Sequence, residues 1–448
     1  MLTATQAVTT PPLNALPADD AERAVLHNEV HARPSPRIRL PALVVQVAVL
    51  NADVSRETEW AHLRQLTGQA DLPFEALQGS FLRLRFADHT FKWERHTEFT
   101  RYSLVQTLPE GAADGMDEAT LLSHLAVSSE WLRTIPGRTM SAVMLAMVNH
   151  PIEDGQAIKE RARAWFEGRP VLASMLGTRH SCALTDFALR PSGFERMFVV
   201  APEGTSETRA GRISQRLLEM ETYRIMALRG LPVAKALGPM LTDAEAQLAN
   251  ITARMEGTDS TDQELLETLI QLAARVERAT AQHMYRFSAT QAYNDLVQQR
   301  LRELREQAIP GTQTMGEFMQ RRLSPAIATV AATAQRLTSL SQRIERTSAL
   351  LRTRVDIVTE AQNQQLLAQL TRGQDLQLKL QSTVEGLSIA AISYYVVSLI
   401  LYIGKAAKAG GIPVNPELMA GGLIPLVLLG IWWGTRRLQR NLHQGAPH

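Results

Sequence analysis

The sequence predicts an α+β protein in three parts: an N-terminal mixed α/β cytosolic domain, a long-helix, coiled-coil-like region, and a C-terminal hairpin of two transmembrane helices. Short apolar runs and runs of alternating polarity, both typical of strands, are confined to the part before Glu207. From Glu207 onward the apolar positions recur at helical spacing. Near the end, Gly386–Gly404 and Leu418–Gly434 contain no charged residue. Each is long enough to cross, or nearly cross, a hydrocarbon core of about 30 Å.

Composition bounds the class of protein and argues against some partners. The chain has 448 residues, of which 45% are hydrophobic and 21% charged, with a net charge of +2. Such a balance is not typical of a nucleic-acid-binding surface, so we expect no nucleic-acid partner. The single cysteine, Cys182, cannot form an internal disulfide and fits a reducing compartment. The N-terminus has no basic or apolar region typical of a signal peptide, so we expect the bulk of the chain in the cytosol.

The mixed α/β domain is predicted over residues 18–205, after residues 1–17, whose Thr, Pro and Ala content predicts disorder. Ala42–Leu50 is a β-branched apolar run that predicts a buried strand. Further strands are predicted at Phe81–Phe86, Phe91–Tyr102, Ala142–Val148, Val171–Leu176, Cys182–Leu189 and Arg196–Val200. Helical patterns lie between them at residues 55–66, 118–132 and 155–168.

Residues 206–323 are predicted to be helical, followed by a long stalk helix over residues 324–385. The predicted helices of the first region are Arg212–Leu228, Val233–Met255, Asp262–Gln307 and Gly316–Arg322. Ser324 followed by Pro325 offers an N-cap and a proline at the first helical position, so we expect the stalk helix to start there. This helix is predicted to continue through the first span to Gly404, roughly 120 Å.

The stalk carries an apolar repeat with a period of seven residues. Such a seam is what a coiled coil needs to keep one face on its partner. Two interpretations remain open: packing against the preceding helix Asp262–Gln307 as an antiparallel hairpin, or self-association of two or more chains. The seam residues are Val330, Leu337, Ile344, Leu351 and Val358.

The C-terminal part is predicted as transmembrane helix 1 (386–404), an external loop (405–417), transmembrane helix 2 (418–435) and a basic cytoplasmic tail (436–448). Basic residues flank the pair of spans on the outside, and fewer lie between them, which favours both outer flanks on the cytoplasmic side of the cell's inner membrane. The flanking residues are Arg372, Lys379, Arg436, Arg437 and Arg440, against Lys405 and Lys408 in the loop. Trp432 and Trp433 are placed as interfacial anchors.

One face of transmembrane helix 1 carries small and polar residues at spacings of three and four. Membrane helices associate through such contacts, so the stripe is predicted either to pack on the second span, through Gly430 and Gly434, or to line a pore in a ring of subunits. The stripe consists of Glu385, Ser388, Ala391, Tyr395, Ser398 and Tyr402.

The chain offers few candidates for chemistry. His27 and His31 lie one helical turn apart and make a weak candidate metal site that lacks a third ligand. Alternation in Phe91–Phe99 puts Lys92, Glu94, His96 and Glu98 on one face, which we interpret as a solvated face. No P-loop, dinucleotide fingerprint or nucleophile elbow occurs, and His180 beside Cys182 is a weak pair. We therefore expect no enzyme activity and no cofactor.

Three stretches resemble a bacterial family of predicted membrane-anchored proteins catalogued as domain of unknown function 3422. They are His27–Pro34 (HNEVHARP), Phe91–Phe99 (FKWERHTEF) and Arg216–Gly230 (RLLEMETYRIMALRG). The resemblance covers nearly the whole chain and includes the first span. It implies no activity and no functional residue, because the family has no established function to carry over.

The layout is also similar to that of CorA-type divalent cation transporters, which join a cytosolic α/β domain to a very long helix and two C-terminal spans and assemble as pentamers. The Gly-Met-Asn motif that follows the first span in those transporters is absent, since Gly404 is followed by Lys405 and Ala406. The loop carries two lysines, whereas a cation entrance favours an acidic ring. The similarity is one of architecture alone.

Two functions remain open from the sequence. The first is a non-enzymatic, membrane-anchored cytosolic scaffold or sensor, homo-oligomeric and in contact with the lipid bilayer. The alternative is a CorA-like oligomeric ion channel or transporter with a pore lined by transmembrane helix 1.

Overall fold

The computed structural model describes residues 19–23, 26–27, 35–152, 155–257, 261–413 and 415–443. The predicted disordered stretch, residues 1–17, lies outside them. The chain divides into two compact units. The sheet unit comprises residues 1–256 and 268–346, and the tail unit comprises residues 257–267 and 347–448.

The sheet unit is built on a mixed sheet of nine strands, and the α+β class predicted from the sequence is confirmed. The strands are β1 (Ala42–Leu50), β2 (Phe81–Arg85), β3 (His89–Arg95), β4 (Phe99–Thr107), β5 (Arg138–Asn149), β6 (Leu172–Leu176), β7 (Ser181–Thr185), β8 (Glu195–Ala201) and β9 (Gln307–Ala308). Their order is β2-β3-β4-β1-β5-β8-β7-β6-β9. The β5–β8 pair is parallel, and the other pairs are antiparallel.

Helices cover both faces of this sheet, and the two last helices belong partly or wholly to the tail unit. They are α1 (Arg56–Leu63), α2 (Glu118–Ser123), α3 (Ser129–Arg133), α4 (Gly155–Arg163), α5 (Glu207–Leu228), α6 (Gly230–Glu256), α7 (Asp262–Leu304), α8 (Met315–Ala409) and α9 (Pro416–His443). The pattern over residues 118–132 predicted one helix, and the structure divides it into α2 and α3. Asp117 and Ser128 each cap one of the two, so each segment begins its own helix.

Strand β1 shows why the sheet lies between two cores. Leu43, Val45 and Val49 point to one face and join a core with α1 to α4. Val44 and Ala48 point to the other face and join a core with α5 and with parts of α7 and α8. Because alternate side chains of a strand point to opposite faces, an apolar strand can fill two cores at once. Each fully buried Val or Leu contributes about 1.5–3 kcal/mol.

Helix α8 begins earlier than the sequence predicted. Its start is a capping box in which the Thr314 Oγ1 accepts from the Glu317 amide at 3.1 Å, while the Thr314 amide donates to the Glu317 carboxylate at 2.9 Å. The predicted start at Ser324 is therefore wrong, and Pro325 lies inside the helix. Because proline has no amide N–H, the carbonyl group four residues earlier in the helix lacks its usual donor. Pro325 is exposed, so this carbonyl group can bind water instead.

Helix α7 ends earlier than predicted, at Leu304 rather than at Gln307. Arg305 has a left-handed backbone with φ 50°, which terminates the helix. Gln307 and Ala308 then form β9, which pairs with Met175 and Ser174 of β6. The short strand was missed because two residues are too few to show a periodicity.

In the sheet unit, α6, α7 and α8 form a three-helix bundle. Gly230 marks the closest approach: a Cβ there would lie 2.3 Å from Thr290 Oγ1 and 3.3 Å from Val330 Cγ1. Arg336 bonds the Glu245 carboxylate at 2.8 Å on the outside of the bundle. The predicted seam lies within it, since Val330, Leu337 and Ile344 are at most 3% exposed.

In the tail unit, the end of α8 and the start of α9 contact each other. A Cβ at Gly404 would lie 2.9 Å from Met419 Cε and 3.2 Å from Pro416 Cα, so only glycine fits there without a shift. Gly404, Pro416 and Ala420 are buried at this contact, and Ser393 is buried earlier on α8. Two helices in the described part of the chain, Met315–Ala409 and Pro416–Gly434, are long and apolar enough to cross a membrane.

Candidate functional site: an arginine cleft and a buried charge chain

A cleft lined by five arginine side chains opens on the sheet unit, and we call it the arginine cleft. Its volume is about 530 Å³. Helix α5 and the end of α7 contribute the arginines, the β6–β7 loop contributes a third side, and Glu303 is the one acidic residue in the lining. The five are Arg209, Arg212, Arg216, Arg302 and Arg305.

Helix α5 presents three of these arginines on one face. Arg209, Arg212 and Arg216 are spaced by three and four residues, which places them in a row along the helix. The first turn is held by Ser206, whose Oγ accepts from the Arg209 amide at 3.4 Å. Ile213, between them in sequence, is buried and contributes to the floor of the cleft.

The β6–β7 loop is held in an unusual backbone conformation. Gly177, Thr178 and Arg179 have φ angles of 56°, 62° and 62°. For residues other than glycine, the left-handed region costs about 1–2 kcal/mol each. The Gly177 amide donates to the Leu304 carbonyl at 3.0 Å, and this bond fixes the loop to the end of α7. Strain of this kind is concentrated at functional sites, so the loop supports a function for the cleft.

The cleft carries uncompensated positive charge. In the part of the chain that the structure describes, Arg212, Arg302 and Arg305 form no salt bridge. Arg216 is the exception, because its Nε lies 3.1 Å from the Glu303 Oε2. With one carboxylate against five guanidinium groups, the lining has a surplus of four positive charges.

His180 adds hydrogen-bonding capacity to the cleft without adding charge. Burial, together with the positive charge of Arg209, lowers the pKa of His180 below its ordinary 6.5. The imidazole is therefore neutral at pH 7. Its Nδ1 lies 2.7 Å from Ser181 Oγ.

Anion binding is one chemistry that this lining supports. Guanidinium groups bind carboxylates and phosphates through paired hydrogen bonds. The lining contains the hydroxyl groups of Thr178 and Ser181 and a single carboxylate, that of Glu303. Cys182, next to Ser181, is fully buried, and burial raises the pKa of its thiol to about 12. The thiol is therefore protonated and out of reach of a ligand.

A chain of alternating charges leads from the cleft into the interior of the sheet unit. Arg300 bridges two carboxylates, with its Nη1 2.9 Å from Glu303 Oε1 and its Nε 2.6 Å from Glu219 Oε2. The Arg101 Nη2 lies 3.6 Å from Glu219 Oε1 and 3.0 Å from Glu94 Oε2. Each charge between the two ends of the chain thus has a partner of opposite sign on both sides. We call this set the charge chain: Arg216, Glu303, Arg300, Glu219, Arg101, Glu94 and Lys92.

The inner end of the charge chain is almost fully buried. The exposed fraction of the side chain falls from 32% at Arg216 to 18% at Arg300 and 1% at Glu94. Burial opposes ionisation of Glu94, but Arg101 and Lys92 outweigh it and lower the pKa of Glu94 to about 2. A buried carboxylate with two cationic partners remains charged at every physiological pH.

The predicted solvated face of strand β3 is wrong. Lys92 and Glu94 are 9% and 1% exposed, and the Lys92 Nζ lies 2.9 Å from Glu94 Oε2. His96 and Glu98 are half-buried. Alternation placed these side chains on one face correctly, but charged residues are buried when the covering element, here α5 with Glu219, supplies their counter-charges.

A buried pair of carboxyl groups, Glu195 at the start of β8 and Glu221 on α5, lies apart from the charge chain. Glu195 and Glu221 share one cation, since Arg224 Nη2 lies 3.4 Å from Glu195 Oε1 and 2.5 Å from Glu221 Oε1. Burial first, and the charge of Glu221 second, raise the pKa of Glu195 well above its ordinary 4.5. One arginine cannot neutralise two buried carboxylates, so Glu195 holds a proton.

The predicted stripe of transmembrane helix 1 is not covered by the second helix. Tyr395 and Tyr402 are 71% and 68% exposed. The buried residues Ser393 and Gly404 lie, at about 100° per residue, on the opposite side of the helix. The remaining stripe residues are exposed or half-exposed: Glu385, Ser388, Ala391 and Ser398.

The predicted glycine pair does not contact the stripe within one chain. A Cβ at Gly430 or Gly434 would meet no atom within 4 Å. Contacts of these glycines with a second chain stay a prediction.

The predicted seam is buried over most of its length. Leu351, in the tail unit, is fully buried, whereas Val358 is 45% exposed. Self-association along the seam therefore stays a prediction for the part that begins at Val358.

The predicted metal pair is placed only in part. His27 is exposed, and His31 lies outside the described residues. Within the ranges that the structure describes, no three His, Cys, Asp or Glu side chains are grouped so that they could hold a metal ion.

Comparison with known proteins places the chain in a family. The family model described as a protein of unknown function, DUF3422, matches residues 18–442. The chain belongs to the DUF3422 family. No curated protein and no solved structure matches it.

Two of the three stretches that resemble DUF3422 proteins meet in the charge chain. Phe91–Phe99 contributes Lys92 and Glu94, and Arg216–Gly230 contributes Arg216 and Glu219. The third stretch, His27–Pro34, lies outside the described residues apart from His27.

The arginine cleft was missed from the sequence. One signal was present, because Arg209, Arg212 and Arg216 follow a helical spacing. Arg302, Arg305 and the β6–β7 loop are distant in sequence from these three arginines, so no sequence pattern indicates that they lie close together. Helical arginine rows are also common on solvated faces.

Proposed function

We propose that this DUF3422 protein is a membrane-anchored, non-enzymatic sensor whose sheet unit binds a small anion in the arginine cleft. The observation that carries the proposal is the surplus positive charge of the cleft, where Arg212, Arg302 and Arg305 have no salt-bridge partner among the described residues. A volume of about 530 Å³ is that of a small-molecule site. Arginine side chains that have no salt-bridge partner favour an anionic ligand.

Anchoring is supported by the apolar surface of α8 and α9. The most apolar windows of the two helices are only 6% buried. A core helix of a soluble protein would be mostly buried, so these surfaces favour lipid as their solvent. We propose a multi-pass protein of the inner membrane with the sheet unit and the basic tail in the cytoplasm. Lys405 and Lys408 would then lie in the external loop.

Homo-oligomerisation is supported by the stripe on transmembrane helix 1. Tyr395 and Tyr402 expose their hydroxyl groups in a segment that would face lipid tails. A polar group in hydrocarbon is costly, and contact with a second copy would cover it. We therefore propose that the sensor is a homo-oligomer joined along this stripe.

Anion titration of the purified full-length protein in detergent tests the ligand site. We expect inorganic pyrophosphate or citrate to bind in calorimetry, with an affinity that falls as sodium chloride is raised. Replacing Arg212 and Arg302 together by Gln should lower the affinity about a hundredfold, from about tenfold for each charge-assisted contact. Arg346→Gln, at an exposed position outside the cleft, is the matched control.

The outcome that overturns the sensor proposal is specific. It is the absence of binding by any anion up to millimolar concentration, or equal binding by the cleft variant and the Arg346→Gln control. Anchoring is tested separately by carbonate extraction and by labelling a cysteine placed at Lys408 from outside the cell. Labelling only from the cytoplasmic side would contradict the proposed topology.

A second candidate function, an oligomeric ion conduit, is favoured by one observation: the polar stripe lies on the side of the helix away from α9. Ser398→Cys gives a clean test, because the one native cysteine is buried. Symmetric crosslinks between copies, together with ion flux in liposomes that Tyr395→Ala changes, would support a conduit. Crosslinks without flux would leave the stripe as an oligomer contact of the sensor.

A further inference from the structure

The positive charges of the arginine cleft are spread over more space than one simple anion can contact. Arg209 and Arg216 are seven residues apart on α5, about 10 Å along the helix axis. Arg302, in the last turn of α7, and Arg305, just after it, line the same cleft from a second element. A single tetrahedral anion is small, and on α5 it would contact only arginines that lie within about one helical turn of each other. The arrangement favours a ligand with two or more linked anionic groups.

Phosphoryl groups match this arrangement better than carboxylates do. A phosphoryl group presents three strong acceptor oxygens and about one and a half to two negative charges, so two linked groups can balance a surplus of four positive charges. Each group can also accept from guanidinium groups on both walls. Glu303, the one carboxylate in the lining, is already engaged by Arg216 and Arg300. The negative charge of the ligand is therefore balanced by arginine side chains.

The lining also argues against a nucleotide base as part of the ligand. Bases in protein sites are stacked on aromatic side chains or on the planes of arginine guanidinium groups. Because the guanidinium groups of this cleft are needed for the phosphoryl oxygens, a base would require an aromatic side chain. The residues that line the arginine cleft include no Phe, Tyr or Trp, and its apolar floor is formed by Leu176, Ile213 and Leu304. His180 is turned to Ser181, with 2.7 Å between Nδ1 and Oγ.

We propose that the arginine cleft binds a small ligand with two or more linked phosphoryl groups and no nucleobase. This inference rests on the proposed function, because it names the ligand class of the same site. The chemistry is shared by free inorganic pyrophosphate or triphosphate and by a lipid headgroup that carries several phosphates. The experiment separates these two sources.

The test compares ligands on one protein sample, the full-length chain in nanodiscs of phosphatidylcholine. We expect inorganic triphosphate to bind at least about tenfold more tightly than orthophosphate and citrate, because it engages both walls at once. Adenosine triphosphate should bind no more tightly than inorganic triphosphate. Arg212→Gln and Arg302→Gln should each weaken triphosphate about tenfold, whereas Arg346→Gln should not.

Each result decides between the two proposals. Citrate binding as tightly as triphosphate, or adenosine triphosphate binding tenfold more tightly, would overturn the phosphoryl inference and leave the anion sensor standing. No binding by any of these anions would overturn both. Nanodiscs that contain cardiolipin identify the source: loss of triphosphate binding there assigns the site to a headgroup, and unchanged binding assigns it to a soluble ligand.

The substitutions themselves do not endanger the fold. Arg212 and Arg302 are exposed and make no salt bridge within the described residues, so their replacement by Gln keeps the helices and removes only charge. Equal melting temperatures for wild-type and variant proteins confirm this before any affinity is compared.

Discussion

The sheet unit and the tail unit place charge and apolar surface in opposite ways. In the sheet unit Glu94 and Arg101 are almost completely buried, each with a partner of opposite charge. In the tail unit Leu399 and Leu426 are 64% and 65% exposed. Charge enters a protein interior when it is paired, and apolar side chains stay outside when the solvent around them is also apolar. This difference is the one expected if the tail unit is anchored in a membrane, as proposed above.

The largest effect is expected where the charge chain is most deeply buried. Glu94→Gln removes the carboxylate that pairs with Lys92 and Arg101 and leaves two buried cations short of a partner. We expect the free energy of unfolding to fall by about 3–5 kcal/mol, measured by denaturant titration in detergent and followed by tryptophan fluorescence. Glu303→Gln, at the 30% exposed end of the same chain, should cost about 1 kcal/mol or less. Equal losses at both positions would contradict the burial gradient.

The next effect separates buried and exposed seam positions on one helix. Leu351→Ala removes a fully buried side chain, and we expect a loss of about 3 kcal/mol in the stability of the detergent-solubilised protein. Val358→Ala, at a 45% exposed position, should change stability by about 0.5 kcal/mol or less if one chain stands alone. Melting temperature and oligomer size are the readouts. A loss at Val358 as large as that at Leu351 would show that a second chain covers the seam there.

A charge placed on the two exposed apolar surfaces of α8 tests which of them faces lipid. Leu399→Arg should raise the free energy of membrane insertion by about 2.5 kcal/mol, because it puts a charge near the centre of a span. Leu350→Arg is the control, since Leu350 is 66% exposed on the same helix but lies before the predicted span. The fraction of protein retained in alkali-washed membranes measures both. Equal retention would contradict a lipid solvent for the segment around Leu399.

The smallest effect, taken per pH unit, concerns the protonated carboxyl group of the sheet unit. The pKa of Glu195 is raised in the folded state, first by burial and then by Glu221, so the folded protein holds a proton that the unfolded chain releases above about pH 4.5. The stability from this group is therefore fully present below that pH and is lost as the pH rises, by at most about 1.4 kcal/mol per pH unit. Glu195→Gln should flatten the decline. Glu360→Gln, at an exposed position, should leave the pH profile unchanged.

Local order was predictable from the sequence because it depends on neighbours along the chain. The strand at Ala42–Leu50 was predicted with the bounds that the structure has, since a β-branched apolar run is typical of a buried strand. The start of α8 was not predicted correctly, because Ser324 followed by Pro325 is a strong start signal and the Thr314–Glu317 capping box ten residues earlier outweighs it. Two signals of the same kind compete, and only the folded backbone decides between them.

By itself, the sequence determined the α+β class, the family and the two apolar segments near the C-terminus, because composition and periodicity are local properties. The tertiary structure decided which charges meet. Glu94 finds Arg101 across a strand pair, and Glu219 of α5 and Arg300 of α7 complete the chain that ends at the arginine cleft. The sequence specifies the charge of each side chain, but sheet order and helix packing determine which opposite charge it contacts. A charged face is solvated or buried according to what covers it.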